Sequence, residues 1–373
     1  MYLDYNATTP LLPEVVDAME PFLREHFGNP SSAHPVGRKA KAAVDHAREQ
    51  VAQLICARPE EIVFTSGGTE ANNLALFGVM ASAQRRMVVT SSIEHPAISN
   101  VCMALEKSGV TVARVPVDGD CVLSLPEAKA AIDRGVALVS VMHSNNETGT
   151  LQPVEEVARL ARVHGVLVHT DAAQSAGKVP LDVDALGADL LSLAGHKLYA
   201  PKGVGALFVR RGVMLRPFMR GAGQEHGARP GTENVASIVG LGVACERARA
   251  ELVAFSKQMF SLSEVLWERL SARVPGLKRN GHAVARLPNT LSVRFPQVKG
   301  SAVLERSGVW ASTGSACHAE VETASSVLLA MGVPSQEALG TVRLSLGRGS
   351  GLAEVEAAAE GLAAAWRAVS SGG

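Results

Sequence analysis

Six short apolar runs, at 61–65, 87–90, 137–142, 166–170, 190–193 and 205–209, alternate with stretches of helical character such as 154–163. No other feature restricts the fold as much. Runs too short for helices, apolar throughout and separated by helices, predict an α/β fold: a mostly parallel sheet with helices on both faces. In such sheets ligands bind beyond the carboxyl ends of the strands. Chemistry is therefore expected in the residues that follow each run.

Polar motifs stand at those places. Ser66-Gly67-Gly68-Thr69-Glu70-Ala71-Asn72-Asn73 follows the first run and opens a helix. Its glycines let backbone approach an anion, the free N–H groups of a helix start favour phosphate, and Thr69 adds a hydroxyl. The GK[ST] ending of a nucleotide-binding P-loop is missing. Glu94-His95-Pro96 follows the second run, where a histidine suits stacking on a flat ring and moving protons. Asn145-Asn146-Glu147-Thr148-Gly149 follows the third, with amides suited either to a cofactor hydroxyl or to a substrate carboxylate. His169-Thr170-Asp171-Ala172-Ala173-Gln174 closes the fourth and Gly195-His196-Lys197 the fifth. An acidic residue closing one run and a lysine closing the next are what pyridoxal phosphate requires. The lysine amine bonds the cofactor aldehyde, and the carboxylate keeps the pyridine nitrogen protonated so that the ring accepts electrons. Gln174, three residues beyond Asp171, suits the ring's phenolic oxygen, and His196 suits the phosphate.

The 373 residues are 47% hydrophobic and 19% charged, enough for a large core divided between two domains. Lys+Arg and Asp+Glu both number 36, so electrostatics gives no case for nucleic acid or an anionic membrane. No apolar run approaches the roughly 20 residues that span a bilayer. The opening Met1-Tyr2-Leu3-Asp4-Tyr5-Asn6 lacks the pattern of a signal peptide. Cys56, Cys102, Cys121, Cys245 and Cys317 are scattered without CxxC spacing, which argues against a disulfide framework or a zinc site. A cytoplasmic location is expected.

The stretch 246–272 reads as one long helix or a pair, 288–295 as a half-buried strand, and 352–369 as an alanine-rich helix. The expected division is a large cofactor-binding domain, 13–261, and a smaller α+β domain made of 262–373 with 1–12 folded back onto it.

These motifs, together with Tyr2-Leu3-Asp4-Tyr5-Asn6-Ala7-Thr8-Thr9, Phe27-Gly28-Asn29-Pro30-Ser31-Ser32, Arg229-Pro230-Gly231-Thr232-Glu233-Asn234, the segment around Cys317 and Val342-Arg343-Leu344-Ser345, carry a family likeness. The chain resembles the cysteine desulfurases of the NifS/IscS type, in the class V aminotransferase group of fold type I pyridoxal phosphate enzymes. The resemblance implies that Lys197 is the Schiff-base lysine. It implies that Asp171 pairs with the ring nitrogen, Gln174 with the ring hydroxyl, and that His95 stacks on the ring. Thr69, His196 and the Gly68 backbone would hold the phosphate. Thr232 would reach the phosphate of a neighbouring subunit, which implies a homodimer. Asn146 and Arg343 would grip the carboxylate of L-cysteine, a contact suited to a guanidinium. Cys317 would attack the substrate sulfur and leave as a persulfide, to be passed to an acceptor protein, with His95 exchanging the proton at that sulfur.

Two departures stand out. Many relatives carry serine three residues before the lysine, bonded to the phosphate; here that residue is Ala194, and Ser192 or water are the alternatives for the contact. The Cys317-His318 pair and Arg229-Pro230-Gly231-Thr232 look more like selenocysteine lyases, whereas His95-Pro96 and the residues after Lys197 look NifS-like. Selenocysteine lyase, yielding selenide, is therefore the alternative, followed by an aminotransferase on the same fold and an inactive scaffold. The other four cysteines read as small buried apolar residues.

Overall fold

The computed structural model describes residues 1–133, 135–313 and 323–371. Seven strands form the main sheet: β1 Ile62–Thr65, β2 Met87–Ser91, β3 Thr111–Val115, β4 Val136–Ser140, β5 Leu167–Asp171, β6 Leu190–Ala194 and β7 Gly205–Val209. Their spatial order is β1-β7-β6-β5-β4-β2-β3. β3, β2, β4, β5 and β6 run parallel, and β7 is antiparallel to both β6 and β1. The carboxyl ends of β1, β2, β4, β5 and β6 consequently share one edge. β4 and β6 are buried along their whole length. Burying each Leu or Val side chain there contributes about 1.5–3 kcal/mol.

The six runs read from the sequence are strands, and β3 is an addition. Its Thr-Val-Ala-Arg-Val run is broken by polar residues because it lies at the sheet edge, with only Val115 buried. That half-exposed pattern lacks the uniformly apolar character by which the others stood out.

A single 37-residue helix, Val235–Ser271, replaces the expected start at 246. Gly240 and Gly242 hide its first turns from a propensity reading. They are there for packing: a Cβ on Gly242 would lie 2.7 Å from the Ala47 Cα of helix Pro35–Leu54. The helix serves two apolar clusters. As far as Ala248 it packs with Val44, Val51, Phe64 and Leu193; from Phe255 onward it packs with Leu3, Leu291, Val293 and Leu344.

The second cluster belongs to an antiparallel sheet of β8 Lys278–Asn280, β9 Thr290–Arg294 and β10 Thr341–Ser345, in the order β10-β9-β8, covered by helices Gly300–Ser307 and Leu352–Ser370. The N-terminus lies along this sheet. Leu3 N donates to Trp310 O at 2.8 Å, and Ser345 N donates to Leu3 O at 2.8 Å. Cys102, Cys121 and Cys245 are buried, but Cys56 is exposed in the turn that ends helix Pro35–Leu54, with φ +56°. No helix among the described residues is long and apolar enough to cross a membrane.

Gly242→Val is expected to destabilise the protein by about 1–3 kcal/mol, because its branched side chain meets the Ala47 backbone, which cannot move aside, as well as the Gln50 side chain. A lowered urea midpoint with unchanged slope checks this, and an unchanged midpoint contradicts the packing argument.

Candidate active site

Residues at the shared strand edge wall one pocket of about 320 Å³, within the range of small-molecule sites. Gly68 and Thr69 come from the turn after β1, His95 from the segment after β2, and Asn146 from the loop after β4. Asp171 ends β5, Gln174 follows it, and Ala194, His196 and Lys197 come from the end of β6. Eight of the sequence-predicted positions thus meet in one cavity.

Lys197 sits in the tight turn Gly195–Lys197, so its side chain leaves the sheet at the strand end. Its Nζ donates to the carbonyls of Asn6 and of Ala7, the latter at 3.0 Å. Burial, and next the nearby Arg343 cation, lower its pKa from 10.5 to about 8; Asp4 and Asp171 pull the other way. About a tenth of an amine at that value is neutral, and so nucleophilic, at pH 7, far more than for an ordinary lysine.

Asp171 is held on both oxygens. Oδ2 accepts from Asn72 Nδ2 at 2.7 Å, and Oδ1 accepts from Ala173 N at 2.9 Å. His95 caps helix Pro96–Lys107, its Nδ1 accepting from Ala97 N at 3.1 Å. The neutral ring therefore carries its hydrogen on Nε2. Burial lowers the His95 pKa, with Lys197 adding to the shift and Asp171 opposing it. His196 is pushed to about 4, by burial first and then by Lys197 and other cations. It is thus a neutral hydrogen-bonding group, with Nδ1 3.3 Å from Thr8 Oγ1.

Arg343, on β10, approaches from the smaller sheet. Its Nη1 donates to Asn146 O at 3.0 Å, and its Nη2 donates to Asp4 Oδ1 at 2.7 Å and Ser312 Oγ at 3.1 Å. The guanidinium is thus occupied by the Asp4 carboxylate, the Ser312 hydroxyl and the Asn146 carbonyl. Thr232 is exposed ahead of helix Val235–Ser271 and does not line this pocket. Ser192 does not face it either: its Oγ lies 3.0 Å from His169 Nε2, in the buried interior of the sheet. Cys317 and His318 lie outside the described residues.

Pyridoxal phosphate fits this donor set. Helix Gly68–Met80 opens on the pocket with N–H groups that no preceding turn receives. A Cβ on Gly68 would lie 3.2 Å from the Ala194 Cβ, so glycine keeps that approach open. Among the described residues, buried Asn72 Oδ1 and Arg343 Nε have no hydrogen-bond partner. An amine of lowered basicity, a buried oriented carboxylate and a helix start on one pocket define the class: a pyridoxal phosphate-dependent α/β enzyme.

Comparison with known proteins narrows this. The chain belongs to the aminotransferase class-V family, whose model matches residues 1–358. It is 46% identical over 353 residues to cysteine desulfurase NifS of Azotobacter vinelandii, covering 93% of this chain and 88% of that protein. It is 43% identical over 352 residues to cysteine desulfurase IscS of Dictyoglomus turgidum, covering 93% and 89%. Among solved structures, a NifS-like protein superposes with a TM-score of 0.91 at 38% identity, over 98% of each chain. SspA in complex with cysteine gives 0.84 at 38% identity, over 92% of this chain and 98% of that one.

Three residues at the site escaped the sequence reading. Asn72 lies within the quoted loop and orients Asp171, but an asparagine at the first turn of a helix also reads as a cap. Lys178, four residues after Gln174, donates to Gln174 Oε1 at 3.1 Å; the spacing was a usable signal. Asn6 left no local signal, because its partners are far away in the chain.

In the cofactor-free protein, acylation of Lys197 mapped by mass spectrometry is expected to rise with a midpoint near pH 8, since the unprotonated amine reacts. Arg343→Leu should move the midpoint upward by removing a cation that disfavours the ammonium. A wild-type midpoint near 10.5 contradicts the burial of this amine.

Proposed function

We propose that the protein is a cysteine desulfurase that converts L-cysteine to L-alanine and leaves the sulfur atom as a persulfide on Cys317. The observation that carries the reading is the Lys197 amine, lining one pocket with Asp171, held by the Asn6 and Ala7 carbonyls and with its pKa near 8. The names of the IscS and NifS relatives, and the cysteine complex of the SspA neighbour, support cysteine as the substrate.

When bound, pyridoxal phosphate supplies an electron sink for the substrate Cα. Lys197, Asp171 and Gln174 would hold its reactive and ring atoms, and Gly68, Thr69 and His196 its phosphate. Arg343 and Asn146 orient the substrate carboxylate, an arrangement that rewards position as much as charge. Lys197, once released as a free amine, takes the proton from Cα. His95 Nε2 exchanges a proton at the substrate sulfur. The Cys317 thiolate attacks that sulfur, so an S–S bond forms as the substrate C–S bond breaks; the carbon skeleton regains protons and leaves as alanine. No external oxidant or reductant is needed.

The same proposal covers the assembly. Thr232 is exposed, which suits a contact with the phosphate of a second copy in a homodimer. The persulfide would pass to an acceptor protein, and the unpaired cysteines suit a reducing cytoplasm. The proposed units are 13–261, and 1–12 with 262–373, supported by the two separate apolar clusters. Selenocysteine lyase remains the second reading, on the Cys317-His318 pair.

Lys197→Ala should abolish both alanine formation and the visible absorbance of bound cofactor. His95→Ala should lower turnover by about 10²–10⁴-fold. Cys317→Ala should lose the added sulfur mass while still releasing some alanine from selenocysteine, whose selenide is the better leaving group. Turnover of selenocysteine with none of cysteine at saturation would replace the first reading by the second.

A further inference from the structure

Lys178 is 4% exposed and lies behind the pocket wall. Its Nζ donates to Gln174 Oε1 at 3.1 Å and to Asn6 Oδ1 at 3.3 Å. Among the described residues, the charges acting on it are those of Lys197 and Arg343, both repulsive. A buried lysine facing two cations and two neutral oxygens is costly. Its position therefore calls for a use.

The hydrogen bonds suggest one. Burial, and next the repulsion of Lys197 and Arg343, lower the Lys178 pKa well below 10.5, and its N–H groups donate whether it is charged or neutral, whereas a carbonyl only accepts. Gln174 lies between the two: Oε1 faces Lys178, and Nε2 donates to Asn6 O at 3.0 Å. Turned round, the amide would set its oxygen against the Asn6 carbonyl, acceptor against acceptor, and lose the Lys178 N–H···Oε1 bond. Lys197 Nζ donates to that same Asn6 carbonyl, so the N–H end of Gln174 and the Lys197 amine are neighbours.

We propose that Lys178 is a positioning residue of the active site: by donating to Gln174 Oε1 it fixes the Gln174 amide with its N–H end beside Lys197, where that end favours an anionic oxygen on the bound ring. The inference rests on the assignment of Gln174 and Lys197 to the cofactor. Asp4 and Asp171 act on Lys197, and His196 feels Lys178 itself, so these groups share the local field.

The test is the pH midpoint of the visible absorbance change of the loaded enzyme, which reports the proton on the Lys197–cofactor link. A donor aimed at the neighbouring ring oxygen eases loss of that proton. Removing it in Lys178→Met should raise the midpoint by about one unit, with Lys178→Gln shifting it in the same direction by less. Gln174→Leu, which cuts the relay while leaving Lys178 in place, should raise it too, and serves if neither Lys178 variant folds. In the cofactor-free protein, the acylation midpoint of Lys197 should also move in Lys178→Met. Midpoints equal to wild type in the folded variants overturn the proposal. Lys197→Ala retaining the visible band would instead sink the site assignment, whatever Lys178 does.

Discussion

The backbone carbonyl of Asn6 accepts from both Lys197 and Gln174, and much of the structure is arranged so that this oxygen can be where it is. Asn6 is fully buried. Its N–H donates to Ser345 Oγ at 2.9 Å, its Nδ2 to Thr290 Oγ1 at 2.8 Å, and its Oδ1 receives Asn289 Nδ2 at 3.1 Å. Three of its partners belong to the smaller sheet or its approach, and three to the large one. A polar group this deep is costly unless every valence is met. Here each is met by a residue from a different part of the chain, so the network forms only when both sheets are in place.

The large sheet supplies the other half of the site by topology alone. Parallel strands deliver their following turns to one edge, so Thr69, His95, Asn146, Asp171 and Lys197 converge although they span well over a hundred residues of sequence. Burial then tunes them. The same low-dielectric surroundings that lower Lys197 to about 8 keep His196 near 4 and hold His95 below its ordinary value. The two imidazoles are thus kept largely uncharged at neutral pH, while Lys197 is brought within reach of losing its proton.

Most of this was legible in the sequence for a specific reason. Uniformly apolar runs mark central strands, and the polar residues just beyond them mark the ligand edge; that rule found Asp171 and Lys197 without any contact information. It failed at β3, whose edge position admits Thr111 and Arg114 among its apolar residues, and at the start of helix Val235–Ser271, where glycines needed for close packing lower helical propensity. Asn6 was out of reach for another reason. Its meaning comes from what it touches, residues about 170 to 340 positions away. Ala194 was noticed as a departure, but only the geometry shows that Ser192 is committed to His169.

The helix Val235–Ser271 runs without a break from one apolar cluster into the other. At 1.5 Å per residue it is a strut about 55 Å long, anchored at both ends by packed side chains. The two sheets are therefore not beads on a flexible string. Any rocking of the smaller one has to roll or flex a hydrogen-bonded rod, and the same movement would carry Arg343 toward or away from Lys197. Stiffness of this kind turns displacement of one half of the molecule into a change of spacing between a charge on that half and a charge on the other.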